Sequence, residues 1–206
     1  PLPGATYQDG YCIFSAKGTQ AVYITAVDNM RSIGALDFTT LDVVQDNLVG
    51  LISDHREVWG LGESTGEILY NSGQAAFPFT RVPSGFIERG CVAPGSISKW
   101  ENAVAWLGDD LRFHAARGYQ PQRISTEAIE ELVADDDSPH TCESYVFSVR
   151  GHTYYLCNFE IFTAAYDTST GLWATWLSDT EDRFRVCGHA YRNQVNIFGD
   201  FETNQL

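Results

Sequence analysis

Tyr166-Asp167-Thr168-Ser169-Thr170-Gly171-Leu172-Trp173 is the stretch that decides the fold. Tyr166 ends a strand, Asp167 to Gly171 form a capped turn, and Trp173 with Trp176 starts the return strand. Asp and Thr side chains satisfy turn amides, and glycine at 171 accepts a positive φ without a Cβ clash. Working outward, the same grammar recurs. Arg185–Ala190 and Gln194–Gly199 flank Arg192-Asn193, and Tyr145–Val149 and Thr153–Asn158 flank Gly151-His152. Ala103–Leu107 and Leu111–His114 flank Gly108-Asp109-Asp110, and Leu48–Ser53 and Glu57–Gly60 flank Asp54-His55-Arg56 with Glu67–Tyr70 after them. Tyr11–Phe14 and Ala21–Thr25 flank Lys17-Gly18. Short apolar runs split by Gly, Asp and Asn read as hairpins.

The hairpins keep a rough period. Val58, Val104, Tyr154 and Val195 occupy equivalent places, spaced by 46, 50 and 41 residues. Several short strands per repeat of about 40–50 residues describe propeller blades. The Tyr166–Trp173 turn resembles the strand-turn-strand of kelch-type blades, without their usual Gly-Gly doublet. The expected fold is therefore all-β and propeller-like, with one short inserted helix; an antiparallel sandwich is the competing architecture. The 27 aromatic residues, against 1 Met and 2 Lys, suit strands, because flat rings pack well on a half-buried pleated surface.

Net charge is −14. DNA binding draws its free energy from Lys and Arg displacing condensed counterions, and the 13 basic residues here are scattered singly. Charge therefore argues against specific DNA binding and leaves acidic walls that repel DNA open. Residues 1–120 carry 13 acids against 8 bases, and residues 121–206 carry 14 against 5. Five widely spaced cysteines (Cys12, Cys91, Cys142, Cys157, Cys187) make no disulfide framework and read as small buried apolar residues. No run approaches the length of a membrane helix, and Pro1-Leu2-Pro3-Gly4 has no signal-peptide character. Residues 1–206 read as one propeller-like domain that is an interior portion of something longer, with 121–140 as a helical, acidic insertion.

That insertion contains a helix from Ser125 to about Ala134. Ser125 is the expected N-cap, and Ile124 and Ile129 have the spacing of a hydrophobic staple. Ala128, Ile129, Leu132 and Val133 form the expected apolar face, with Glu127, Glu130 and Glu131 toward water. Asp135, Asp136 and Asp137 then oppose the helix dipole, so they do not serve helix stability. They are the candidate acidic patch facing a channel or a partner.

Three motifs suggest chemistry. Gly62-Glu63-Ser64-Thr65-Gly66 matches G-x-S-x-G, but a nucleophile elbow needs a helix after the serine, and Glu67–Tyr70 alternates like a strand. Gly108-Asp109-Asp110 could pair carboxylates on metal ions, yet a tight turn needs only Gly and Asp. His140 with Cys142 and Cys187 with His189 are four conceivable zinc ligands, without the usual close Cys knuckle. The expectation is no catalytic, cofactor or metal residue, and no enzyme.

Longer stretches carry a family likeness. Asp9-Gly10-Tyr11, Glu57–Gly62 with Thr65–Glu67, Pro78–Arg81 with Ile87–Cys91, and Trp106–Gly108 run in order. Gly118–Thr126 running into Ala128–Glu130, then Gly151–Tyr155 and the Tyr166–Trp173 turn, complete the match. The chain resembles the packaged-DNA stabilisation, or tail nozzle, proteins of short-tailed phages. That resemblance implies a virion tail protein, assembled in host cytoplasm and without catalysis. It would form a ring of copies, expected to be a hexamer, below an adaptor and near needle or fibre proteins, extending and closing the DNA channel until ejection. A carbohydrate-binding or receptor-recognising tail propeller is the alternative, and it would show as two carboxylates beside Trp in one pocket.

Overall fold

Five two-residue hairpins organise the architecture. The computed structural model describes residues 4–16, 18–179 and 183–203; Lys17 of the expected first break, the Pro1–Pro3 terminus and Leu206 lie outside them. β1 (Ala5–Gln8) to β4 (Phe38–Thr40) form the first sheet, with β2 (Tyr11–Ser15) and β3 (Ala21–Ile24) between. The second holds β5 (Leu48–Asp54), β6 (Glu57–Gly62), β7 (Gly66–Asn71) and β8 (Phe79–Ile87). The third holds β9 (Ser98–Trp100), β10 (Ala103–Leu107), β11 (Phe113–Ala116) and β12 (Pro121–Arg123). After helix α1 (Glu127–Asp135), the fourth holds β13 (Glu143–Val149), β14 (His152–Asn158), β15 (Thr163–Asp167) and β16 (Leu172–Trp176). β17 (Val186–Arg192) and β18 (Val195–Asp200) form a two-stranded sheet. Every sheet is an antiparallel meander in chain order, which is the blade of a propeller. Among the described residues no helix is long and apolar enough to cross a membrane.

The first and second strands of each blade are joined by Asp9-Gly10, His55-Arg56, Glu101-Asn102, Arg150-Gly151 and Asn193-Gln194. In four of the five pairs both residues have positive φ, the backbone of a tight turn whose twist matches that of the flanking strands. The expected turns at Gly151-His152 and Arg192-Asn193 are thus displaced by one residue. A larger correction concerns equivalence. The hairpins around residues 17–18 and 108–110 join second to third strands, whereas the other three join first to second.

The first strands converge. Ser53 N donates to Thr6 Oγ1 (2.9 Å), Lys99 Nζ to Ser53 O (2.5 Å), and Tyr145 OH to Val186 O (3.2 Å). Ser98 Oγ and Ser144 Oγ share a hydrogen bond of 2.8 Å. Each first strand is therefore tied to the first strand of the next blade. The blades pack face to face around them. In β6, Val58 belongs to the core shared with the first blade and Trp59 to the core shared with the third. In β10, Val104 faces back and Ala105 forward; in β14, Tyr155 faces back and Leu156 forward. A second strand is thus buried on both faces, so it reads as an unbroken apolar run. Each side chain as fully buried as Leu61, Ile68 or Phe113 contributes roughly 1.5–3 kcal/mol. The positions aligned by period share the second strand but not one face: Tyr155, not Tyr154, is the partner of Val58 and Val104.

The octet at 166–173 forms as expected. Gly171 has φ of 74°, and Asp167 accepts from Ser169 N and Thr170 Oγ1, both at 2.9 Å. The helix is corrected at its start. Thr126 is the N-cap, and its carbonyl accepts from Ile129 N and Glu130 N. Ser125 Oγ is already committed, accepting from Phe113 N (3.1 Å) and donating to Glu130 (2.6 Å). Ile129 and Val133 are buried as expected, but Ala128 is exposed. Glu130 turns inward onto Arg123 and Arg112 and does not face water.

Candidate interaction surface

The β3–β4 connection spans 25–37, and its backbone satisfies itself. Thr25 N and Asp28 N donate to the carbonyls of Cys12 and Gly10, fixing the loop to the first hairpin (3.0 and 2.8 Å). Ala26 N donates to Ser32 O at 2.8 Å, Arg31 N to Asn29 Oδ1 at 3.2 Å, and Gly34 N to Asp37 Oδ2 at 2.7 Å. With its polar groups turned onto its own backbone, the loop holds apolar side chains outward. Leu36 is 82% exposed and Met30 70%; Val27 and Ile33 are each more than half exposed. Phe38 on β4 and Val43 and Val44 after it extend the apolar surface along the chain. Scattered exposed apolar residues are ordinary, but a run of them on one connection marks a surface that meets another body.

The segment after β4 is clamped from below. Leu41 is buried, and Val43 N donates to the buried Glu67 carboxylate at 2.8 Å. That carboxylate pairs with Arg81 at 2.7 Å, which also reaches Asp42 at 3.0 Å. Asp46 accepts from Glu63 N, Ser64 N, Thr65 N and Thr65 Oγ1, all at 2.7–3.0 Å. This is also what the G-x-S-x-G motif is for. Its amides wrap an aspartate, the strand β7 follows where a helix would have to begin, and none of the described histidines bonds Ser64.

The acidic patch is divided by the fold. Asp135 and Asp137 are exposed, but Asp136 is only 5% exposed, accepting from Ser138 N (2.8 Å) and Glu160 N (3.2 Å). Its charge closes the helix exit onto the loop after β14. Asp109 and Asp110 are occupied by Arg89 (3.0 and 3.4 Å), and Asp110 also by His114 (3.0 Å). Cys142 lies buried in the core between the third and fourth blades, away from exposed His140. Among the described residues no three His, Cys, Asp or Glu side chains gather as a metal site. Asp9 and Glu57 do share a surface depression, but no Trp lines it. Asp9 is bonded to Asn71 (3.1 Å) and Glu57 to Tyr119.

The apolar connection escaped the sequence reading. Its signal was present: Val27, Met30, Ile33 and Leu36 recur every third residue in a stretch without strand alternation.

The comparisons come to the same fold. A family model described as "Bacteriophage P22 Gp10, beta-propeller" matches residues 3–206. Among solved structures, the chain is similar to BamB from Moraxella catarrhalis, at 11% identity and a TM-score of 0.53, covering 84% of this chain and 52% of that one. It is similar as well to the WD40 beta propeller domain of Doa1, at 12% identity and a TM-score of 0.53, covering 87% and 56%. The chain thus spans just over half the length of these propellers, and the likeness concerns fold alone. No curated protein matches it.

Proposed function

The chain belongs to the phage stabilisation family typified by the P22 Gp10 β-propeller, and from that premise we propose that it is a wall element of a phage tail nozzle. As a member it is a phage structural protein of propeller fold that meets other virion proteins. In our reading copies stand in a ring that continues the DNA channel, retains the packaged genome and opens for ejection. The observation that supports this is the run of exposed apolar side chains on the connection at 27–44, which we read as an assembly contact. DNA passes such a ring without specific binding, because acidic surfaces repel phosphates. Assembly in host cytoplasm completes the proposal, and three buried thiols with no disulfide among the cysteines are compatible with it.

The test is made in the particle. Removing the gene should leave heads that lose DNA, with tails ending short; full, stable heads would sink the nozzle reading. Met30→Asp with Leu36→Asp, made in the phage, should leave the protein folded but absent from virions. Normal incorporation of that variant would show that the connection is no assembly contact.

A further inference from the structure

A groove of about 470 Å³ lies between the second and third blades, within the volume range of small-ligand sites. One wall comes from the end of β8 and the residues after it, Phe86, Glu88 and Arg89; the other comes from β11, β12 and the loop between them. At its base is His114, on β11 and only 6% exposed. The imidazole is built in. Its ring lies 6.3 Å from that of Trp106, and a Cβ at Gly108 would meet His114 Cδ2 at 2.7 Å, so glycine there makes room for the ring. Nε2 is held by both oxygens of Asp110, at 3.0 and 3.2 Å. Asp110 is in turn bonded to the backbone of Arg112 and paired with Arg89. Burial works to raise the Asp110 carboxyl, but the hydrogen bond from His114 and the Arg89 charge outweigh it and hold it below its ordinary value. Nε2 is committed to Asp110, which leaves Nδ1 as the ring's other polar atom. It has no protein partner and is not sealed from solvent, so it opens to the groove His114 lines.

The remaining groups define what would fit. Arg89 is spent on Asp109 and Asp110, and Arg123 is held by Glu130 through both Nε and Nη2. Both guanidiniums that line the groove are therefore already paired with carboxylates, and the −14 chain repels anions. What it does offer unpaired is His114 Nδ1, the exposed Glu88 carboxylate and the Gln120 amide: one acceptor, one amide of both kinds, and a ring nitrogen that bonds a hydroxyl in either protonation state. Beside them stand two apolar faces, Phe86 and Tyr119. Tyr119 is rigid, because its hydroxyl is bonded to Glu57 and its ring lies 6.0 Å from Trp59. A ligand that is uncharged, rich in hydroxyl donors and flat enough to lay C–H faces on aromatic rings meets all three demands. We propose that this inter-blade groove binds a neutral carbohydrate, with His114 Nδ1, Glu88 and Gln120 bonding to its hydroxyls and Tyr119 as the stacking face.

The proposal does not depend on the nozzle role. It is tested by presenting the chain to immobilised neutral oligosaccharides, uronic-acid oligosaccharides and oligolysine. The expected result is retention on a neutral glycan and none on the uronic acids. Glu88→Ala and Gln120→Ala, both surface changes that leave thermal melting unaltered, should each weaken retention at least five-fold; His114→Ala should abolish it. Retention on oligolysine alone, no retention at all, or neutral-glycan retention indifferent to the two surface variants would overturn the proposal.

Discussion

Replacing Asp46 by alanine should destabilise the protein far more than its exposed turn suggests. One carboxylate collects three amides and one hydroxyl, from Glu63, Ser64 and Thr65. A hydrogen bond to a charged group contributes roughly 1.5–3 kcal/mol, but this turn is half open and water replaces much of what is lost. Glu63 and Ser64 are exposed and recover water readily, while Thr65 is partly buried and recovers less. The net cost is then about 2–4 kcal/mol, near the value of one or two charge-assisted bonds. For a chain of this size it lowers Tm by roughly 4–16 °C at about 2–4 °C per kcal/mol. The control is Ser64→Ala, which keeps every amide and should stay within about 0.5 kcal/mol of the parent. Urea unfolding followed by tryptophan fluorescence gives both numbers. An Asp46→Ala loss below about 1 kcal/mol, or a Ser64→Ala loss as large as it, would refute the reasoning that this motif exists to wrap Asp46.

Other consequences can be measured on the same material. Gln194 has φ of 63° in a two-residue hairpin, so Gln194→Gly should stabilise by about 0.5–1 kcal/mol; a loss in urea midpoint would show that its side chain is needed. The carboxyls of Asp110 and Glu130 are held below their ordinary values: burial opposes this, but His114 and Arg89 in one case, and Ser125, Arg123 and Arg112 in the other, outweigh it. Their contribution is complete above those ordinary values and is lost as pH falls through the lowered ones, so urea midpoints should drop between about pH 5 and 2. Asp110→Asn with Glu130→Gln should flatten that drop, and an equal drop in the variant would remove these two groups as its cause. Burial pushes the Cys91 thiol up to about 12 and Cys157 well above its usual range, while Cys142 is buried beside them. Only Cys12 and Cys187 should then react with a thiol reagent at pH 8 before denaturation; a third reactive thiol would contradict the packing of the third blade against the second or the fourth.

How legible the fold was depended on burial. The second strands could be read because both faces are covered: Glu57–Gly62 and Ala103–Leu107 are nearly unbroken runs of buried residues. Two of the fourth strands could not, because Phe38–Thr40 and Pro121–Arg123 are three residues long and mostly exposed, which leaves no alternation to see. The turn at 166–173 was legible since its hydrogen bonds are local, from Asp167 to Ser169 and Thr170. Ser125 misled for the opposite reason. Its hydroxyl is claimed by Phe113, twelve residues earlier, a partner that only the fold supplies. The groove at His114 was invisible on the same ground, since Glu88 and Tyr119 come from different blades.

The charge poses the last question, because an acidic conduit needs its acids where DNA would run. The innermost strands do not hold them. Asp54 and Glu143 are the acids of β1, β5, β9, β13 and β17, and Lys99 and Arg192 are their bases, so those strands are neutral in sum. Asp54 is moreover bonded to His55 at 2.7 Å and lies 3.9 Å from Lys99. The excess of negative charge therefore lies off the first strands, the exposed Asp135 and Asp137 included. On the proposed nozzle reading, if like-charge repulsion keeps DNA from sticking, the repelling wall would be one that copies make together, and the blade axis of a single copy would not be the conduit. Neutralising Asp135 and Asp137 with asparagine should then alter ejection rate with its salt dependence, whereas Glu143→Gln should not; the reverse pattern would return the conduit to the propeller axis.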